Sequence, residues 1–222
     1  MRRHWWWRPG WRPRRRLYTW HLTFGDQTVS RGLADLRRVV GGYQARLARL
    51  PGLDLVPAEW LHLTLQPVGF ADEVGAGDVE RIVAAVGRRC ATLAPLRLTL
   101  GPAVLMEEGV WLRVAPPAVV RQVRAAVRSG IAEVWGPARV PESAGGFTPH
   151  VSLAYSHTDG PDEPYAAALA GAAPRSATVE IGAVQAISLS RDTRLYQWAT
   201  VATVPLGTGA IDGNYAWPVR SN

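Results

Sequence analysis

The stretch Trp60-Leu61-His62-Leu63-Thr64-Leu65 has the alternation of polar and aliphatic residues that is typical of a half-buried strand. Successive side chains of a strand point to opposite faces, so His62 and Thr64 share one face and the leucines share the other. The arrangement recurs in Pro149-His150-Val151-Ser152-Leu153, where His150 and Ser152 share a face. A single strand histidine is more often structural than catalytic, whereas two His-x-hydroxyl pairs in one chain indicate a common site.

Length and composition are those of a globular protein that can bury a sizeable core. The chain has 222 residues, of which 47% are hydrophobic and 19% charged. It contains no apolar run of about 18 residues, so we expect no membrane span. Cys90 is its only cysteine, which excludes an intrachain disulfide and fits a reducing compartment. We therefore expect a cytoplasmic protein, and we expect it to be monomeric.

The net charge of +7 comes from one end of the chain. Residues 1–16 (MRRHWWWRPGWRPRRR), called the N-terminal arm below, contain seven arginines and no acidic residue. The whole chain has 25 basic and 18 acidic residues, so the remainder carries 18 of each. A strongly basic nucleic-acid groove is therefore not indicated by the bulk charge. The arm could stack bases and contact phosphates or lie on a membrane surface, but we favour a disordered extension.

Apolar periodicity predicts the same series of elements twice. The first series comprises strand 17–24, helix 30–50, the His62 strand, helix 78–93 and strand 96–104. The second comprises strand 110–115, helix 117–135, the His150 strand, helix 161–170 and strand 177–190. This repeat predicts two pseudo-symmetric lobes within one domain at 17–205, each a sheet with helices on its outer face and a histidine on its inner face. Residues 206–222 lack a pattern and are predicted to form a mobile tail.

These motifs resemble those of the two-histidine (2H) phosphoesterases, which include 2′-5′ RNA ligases and cyclic nucleotide phosphodiesterases. The family pattern of His-x-Thr/Ser-x with an apolar last position matches His62-Leu63-Thr64-Leu65 and His150-Val151-Ser152-Leu153, with Gly69 following the first. The resemblance implies an α+β, bilobal fold of antiparallel β-sheets in which the two histidines face each other across a central cleft. It also implies action on 2′,3′-cyclic or 2′-5′ phosphodiesters, at RNA ends or in cyclic nucleotides, without a metal or other cofactor.

The residue types suit that chemistry. Opening a cyclic phosphodiester needs a base for the attacking water and an acid for the departing sugar oxygen, and histidine titrates near neutral pH. His62 and His150 are therefore the predicted catalytic pair. The hydroxyls of Thr64 and Ser152 are predicted to donate hydrogen bonds to the non-bridging phosphate oxygens.

Two further residues are predicted to contact the substrate. His21 lies on the polar face of the first strand, where it could equally be bound to a neighbouring residue. Gln66 shares the His62 face under strict alternation, and it could equally end at the solvent rim. The same alternation turns Tyr155 away from the cleft, towards core packing. Trp111 could stack on a base or pack in the core. His157 is expected at the surface, as are most arginines, although Arg97, Arg113 and Arg191 could neutralise a phosphate.

Two other functions are compatible with the same residues. A zinc enzyme could use His62, His150 and either His21 or His157, but neither motif contains a carboxylate or cysteine ligand. A non-catalytic module of the same fold could instead bind a nucleotide or an RNA end without turnover. Activity in the presence of a chelator would exclude the first, and turnover would exclude the second.

Overall fold

The computed structural model describes residues 1–172 and 175–207, which form ten strands and four α-helices. The strands are β1 (Leu17–Thr23), β2 (Val29–Arg31), β3 (Leu53–Leu55), β4 (His62–Phe70), β5 (Leu96–Met106), β6 (Gly109–Ala115), β7 (His150–Ser156), β8 (Ala177–Ile181), β9 (Ala183–Ser190) and β10 (Gln197–Pro205). The helices are α1 (Leu33–Leu47), α2 (Ala76–Cys90), α3 (Pro117–Trp135) and α4 (Glu163–Ala170). The elements of both predicted series are present, with 177–190 divided into two strands, and β2, β3 and β10 lie outside those series.

Two antiparallel sheets carry the two histidine strands, as the α+β, bilobal prediction requires. One has the strand order β10-β9-β1-β4 and the other β2-β8-β5-β6-β7-β3. The series β10-β9-β1-β4 in the first sheet corresponds to β8-β5-β6-β7 in the second, which is the predicted pseudo-symmetry. Each histidine strand therefore has one sheet neighbour of equivalent position, β1 for β4 and β6 for β7.

The lobes exchange elements between the two halves of the chain. Strand β5 from the first half lies in the sheet of β7, whereas β9 from the second half lies in the sheet of β4. Two of the helices are exchanged too, because α1 contacts β7 and β8 while α3 contacts β4. The sequence repeat thus predicted the elements of each lobe but not their exchange.

The predicted strand 177–190 also differs from the structure. It is two strands, β8 and β9, which belong to different sheets and separate at Gly182. The backbone N–H of Gly182 donates to the carbonyl of Thr28, and its own carbonyl accepts from Leu206, so the crossing point is hydrogen-bonded on both sides. Period-two alternation continues through the crossing, and it carries no information about which sheet each half joins.

Helical faces provide the outer layers of the core. Helix α1 buries Leu36, Val40, Tyr43 and Leu47, which follow the apolar stripe read from the sequence. Helices α2 and α3 pack closely on each other at Gly130, where a Cβ atom would lie 2.5 Å from the Val86 side chain. Both helices cover the four-stranded sheet, because α2 contacts β10 and α3 contacts β4.

The N-terminal arm is packed against both lobes, contrary to the prediction of a disordered extension. Trp5 is 8% exposed, and its indole N–H donates to Asp54 Oδ2 at 2.9 Å. Arg12 pairs with Asp72 at 2.6 Å on the other lobe. The arginines of the arm pair with carboxylates that are distant in sequence. The composition of the arm alone indicates disorder, but these pairs hold the arm on the folded body.

The C-terminal end of the chain, from residue 208 onwards, lies outside the described residues, and it includes most of the predicted mobile tail at 206–222. Within the described ranges, no helix combines the length and the apolarity needed to cross a membrane.

Candidate active site

His62 and His150 occupy equivalent positions at the start of β4 and β7, and both line one cleft. His62 Nδ1 lies 2.8 Å from the carbonyl oxygen of Trp60, and His150 Nδ1 lies 2.9 Å from that of Thr148. A carbonyl oxygen only accepts, so Nδ1 is the donor in both rings. Each histidine is therefore anchored to the residue two positions before it, and Nε2 is the ring nitrogen left for a ligand.

Aromatic rings cover one face of each histidine. His62 stacks on His21 with ring centroids 4.7 Å apart, and His150 stacks on Trp111 at 3.6 Å. Trp198 and Tyr196 contact the His62 ring edge-on at 5.3 Å and 5.9 Å. Trp111 thus supports the His150 ring. The sequence analysis left open whether Trp111 stacks on a base or packs in the core.

This enclosure favours the neutral imidazoles. Burial lowers the pKa of His62 from 6.5 to about 4, and the charge of nearby His150 contributes in the same direction. Burial also lowers the pKa of His150 below its ordinary value. Both neutral rings can therefore accept a proton at Nε2, and an anionic phosphate between them would raise both pKa values.

The two predicted hydroxyls lie in the same cleft. Thr64 is exposed there and its Oγ1 lies 3.3 Å from His21 Nε2, while Ser152 is 5% exposed. His21 is fully buried, and its other ring nitrogen, Nδ1, has no hydrogen-bond partner among the described residues. His21 is thus placed to hold Thr64 and the His62 ring.

Gln66 departs from its predicted position. A β-bulge at Leu65 shifts the pairing, so that His21 is opposite Thr64 but Trp20 is opposite Gln66. Opposite residues of an antiparallel pair share a face, and Gln66 therefore lies on the core side with Trp20. It is fully buried, and its Oε1 accepts from Arg128 at 2.7 Å. The predicted contact between Gln66 and substrate is wrong, because the bulge inverts the alternation after Thr64.

A matching bulge follows the second motif and brings Tyr155 into the site. Ser152 is opposite Trp111 and Ala154 is opposite Val110, which leaves Leu153 as the extra residue of β7. Alternation is inverted after it, so Tyr155 lines the cleft and not only the core. Pro67 lines the cleft in the other lobe for the same reason.

Polar side chains from distant helices hold both bulges. The carbonyl of Leu65 accepts from Arg124 Nε of α3 at 2.8 Å. The carbonyl of Leu153 accepts from Gln44 Nε2 of α1 at 3.0 Å. The exchanged helices therefore fix the backbone immediately after each His-x-hydroxyl pair.

The cleft has a volume of about 480 Å³ and is lined by both lobes and by the N-terminal arm. Its walls include the two catalytic candidates with Thr64, Ser152 and His21. The residues that the sequence analysis did not place there include His4, Arg8, Trp11, Glu108, Glu142 and Tyr196. The arm residues went unrecognised because their position depends on pairing with distant residues; the alternation of tryptophan and arginine was the one available signal.

His157 and the arginines considered for phosphate binding do not line the cleft. Arg97 pairs with Glu180 at 3.1 Å, and His157 pairs with Asp54 at 3.1 Å. Arg113 is exposed beside His150 in the strand register. Arg191 is buried against the arm. Across residues 1–172 and 175–207, no three histidine, cysteine or acidic side chains form a group suited to holding a metal ion.

Comparison with known proteins places this site in a family context. The model of the 2′-5′ RNA ligase superfamily matches residues 35–193, which include both histidine motifs. A comparison with curated protein sequences finds no match.

Solved structures share the fold at low sequence identity. The protein TT0787 of Thermus thermophilus superposes with a TM-score of 0.64 at 19% identity, covering 87% of this chain and 100% of that chain. A protein described as a phosphoesterase gives a TM-score of 0.62 at 19% identity, covering 87% and 99%. Escherichia coli LigT in complex with 3′-AMP gives a TM-score of 0.57 at 18% identity, covering 86% and 98%.

Proposed function

The chain belongs to the 2′-5′ RNA ligase superfamily, and from this premise we propose that it is a metal-independent phosphodiesterase that opens 2′,3′-cyclic phosphates of RNA ends or nucleotides. The observation that carries the proposal is the matched anchoring of His62 and His150, each by Nδ1 to the carbonyl two residues earlier. Two equivalent imidazoles in one cleft, whose Nε2 atoms have no hydrogen-bond partner within residues 1–172 and 175–207, are the groups that acid-base catalysis at phosphorus requires.

The proposed step exchanges one phosphorus–oxygen bond for another. One histidine accepts a proton from water at Nε2 as the water oxygen attacks phosphorus. The other, as an imidazolium, donates its proton to O3′ as the P–O3′ bond breaks, which leaves a 2′-phosphate and a 3′-hydroxyl. Thr64 and Ser152 donate hydrogen bonds to the non-bridging oxygens, where negative charge increases in the transition state.

A 5′-hydroxyl could replace the water without a change of residues. Its attack on the cyclic phosphate breaks the same P–O3′ bond and forms a 2′-5′ linkage. Reversible ligation is therefore part of the proposal. LigT, a neighbour in fold, has been crystallised with 3′-AMP and with phosphate, which supports a nucleotide phosphate as the occupant of the cleft.

The test is turnover with a chelator present. The protein is incubated with 2′,3′-cyclic nucleotides and with oligonucleotides that end in a cyclic phosphate, and the products are separated by chromatography. We expect 2′-phosphates at an undiminished rate with chelator. Loss of activity with chelator would support the zinc alternative, and tight nucleotide binding without product would support the binding module.

A further inference from the structure

The N-terminal arm spans the two lobes along one side of the cleft. On the lobe of β7, the backbone N–H of His4 donates to the carbonyl of Ser156 at 2.8 Å. On the lobe of β4, Trp11 contacts Phe70 edge-on at 5.3 Å. Between these attachments the arm passes the cleft, where Arg8 forms part of the wall. The arm thus brings a guanidinium into the cavity that contains both site histidines.

The Arg8 guanidinium is held in place by one hydrogen bond and has further N–H groups that can donate. Its Nη2 donates to Glu108 Oε2 at 2.7 Å, which fixes the plane of the group. Its Nε is buried and has no hydrogen-bond partner among the described residues. A buried donor without a partner costs free energy, and a planar guanidinium recognises phosphate through two adjacent N–H groups. The Nε atom itself is enclosed, but the Arg8 side chain is 37% exposed and lines the cleft, so its remaining Nη N–H groups can donate to an oxyanion there.

Arg191 positions the segment from which Arg8 projects. It is 7% exposed, and its Nη2 donates to the carbonyls of His4 and Trp6, at 3.4 Å and 3.2 Å. Its guanidinium also lies 5.3 Å from the centre of the Trp5 ring. The arm segment next to Arg8 is thus supported by Arg191, which directly follows β9 in the folded body.

Arg8 is the one arginine among the described residues that line the cleft. Among the described residues, the two carboxylates that line it are Glu108 and Glu142. Each has an arginine partner, because Glu108 pairs with Arg8 and Glu142 lies 3.7 Å from Arg124. Because Glu108 already balances the Arg8 charge, Arg8 would bind an anion through directed hydrogen bonds and not through a net positive charge of the cleft.

We infer that Arg8 binds a second phosphate group of the substrate, in addition to the one between His62 and His150. The inference rests on the proposed function, and it narrows the proposed substrates to those that carry a further phosphate. That group could be a terminal 5′-phosphate or the diester that joins the next nucleotide. The arm would then determine specificity, whereas the histidines determine the reaction.

The experiment compares three substrates that share the same cyclic phosphate. They are adenosine 2′,3′-cyclic phosphate, its 5′-phosphorylated form, and a dinucleotide that ends in the cyclic phosphate. In the wild type we expect the second phosphate to raise kcat/KM by roughly tenfold or more, the scale of one charge-assisted hydrogen bond. In Arg8→Gln we expect that advantage to disappear. The two phosphorylated substrates show whether a monoester or a diester is preferred.

Removal of Arg8 also leaves Glu108 without its partner, and that carboxylate would repel any phosphate. The double variant Arg8→Gln with Glu108→Gln removes this effect, and we expect the advantage to remain absent. Glu108→Gln alone keeps Arg8 and should keep the advantage. Arg3→Gln is the matched control, because Arg3 is an exposed arginine of the same arm. Its substrate ratios should equal those of the wild type.

Failure of this inference is distinguishable from failure of the proposed function. An unchanged substrate ratio in the double variant, with turnover intact, overturns the role of Arg8 alone. If the wild type opens none of the three substrates, calorimetric binding of adenosine 3′,5′-bisphosphate replaces turnover. Roughly tenfold weaker binding to the double variant then supports the subsite, and equal affinity for both proteins overturns it.

Discussion

Replacement of Arg124 by methionine tests whether the exchanged helices hold the active-site backbone. The Arg124 side chain is 5% exposed and donates three hydrogen bonds, to the carbonyls of Leu65 at 2.8 Å, Ala144 at 3.0 Å and Ser143 at 3.0 Å. Each is worth about 1 kcal/mol net, so we expect Arg124→Met to lower the free energy of unfolding by about 3 kcal/mol. For a chain of this size that corresponds to a decrease in Tm of roughly 6–12 °C.

The same substitution should also reduce turnover, because Arg124 fixes both the bulge after Thr64 and the loop that precedes β7. A displacement of about 1 Å can cost up to ~100-fold in rate. Urea unfolding monitored by tryptophan fluorescence measures the stability, and cyclic nucleotide turnover measures the activity. Arg121→Met is the control, since Arg121 is an exposed arginine of the same helix. A free energy of unfolding of Arg124→Met within about 0.5 kcal/mol of the wild-type value, as for a surface substitution, would refute this role of Arg124.

Gln44 and the histidine pair provide two more tests of the same geometry. Gln44→Leu removes hydrogen bonds to the carbonyls of Val56 (2.7 Å) and Leu153 (3.0 Å), and we expect it to cost about 2 kcal/mol of stability by urea unfolding; an unchanged midpoint would contradict the role of Gln44. The pH profile of kcat/KM should peak below pH 6.5, because one histidine of the free enzyme must be an imidazolium. Burial lowers the pKa of His150, and it lowers the pKa of His62 to about 4. Rates measured between about pH 4 and 8 check this, and a maximum on the alkaline side of neutrality argues against it.

The local pattern of the sequence predicted most of the elements and the common cleft of the two histidines. His62 with Thr64, and His150 with Ser152, share the cleft because a strand keeps its alternation over three residues. Helix α3 has the predicted bounds of 117–135, because its apolar stripe is uninterrupted and a proline begins it. These features depend on neighbours within a few residues, which a single sequence contains.

The errors arise where a distant contact overrides the local pattern. Alternation placed Gln66 in the cleft and Tyr155 in the core, but bulges at Leu65 and Leu153 reverse both orientations. The side chains that hold those bulges come from α3 and α1, far along the chain. Strand alternation and helical periodicity carry no sign of such partners.

The N-terminal arm shows the same limit on a larger scale. Its arginines and tryptophans have the composition of a disordered basic segment. Their partners include Asp54, Asp72 and Glu108, which are separated from the arm by tens of residues. Composition describes the arm alone, whereas its order depends on these acidic residues of the folded body.

The most direct measurement of the central claim is the turnover of a 2′,3′-cyclic nucleotide by His62→Ala and His150→Ala, with chelator present. His157→Ala is the matched control, because His157 pairs with Asp54 and does not line the cleft. We predict that each active-site variant loses about 100-fold or more in kcat, the contribution of a general acid or base, while the control keeps wild-type activity. Wild-type turnover by either His62→Ala or His150→Ala would contradict the two-histidine mechanism.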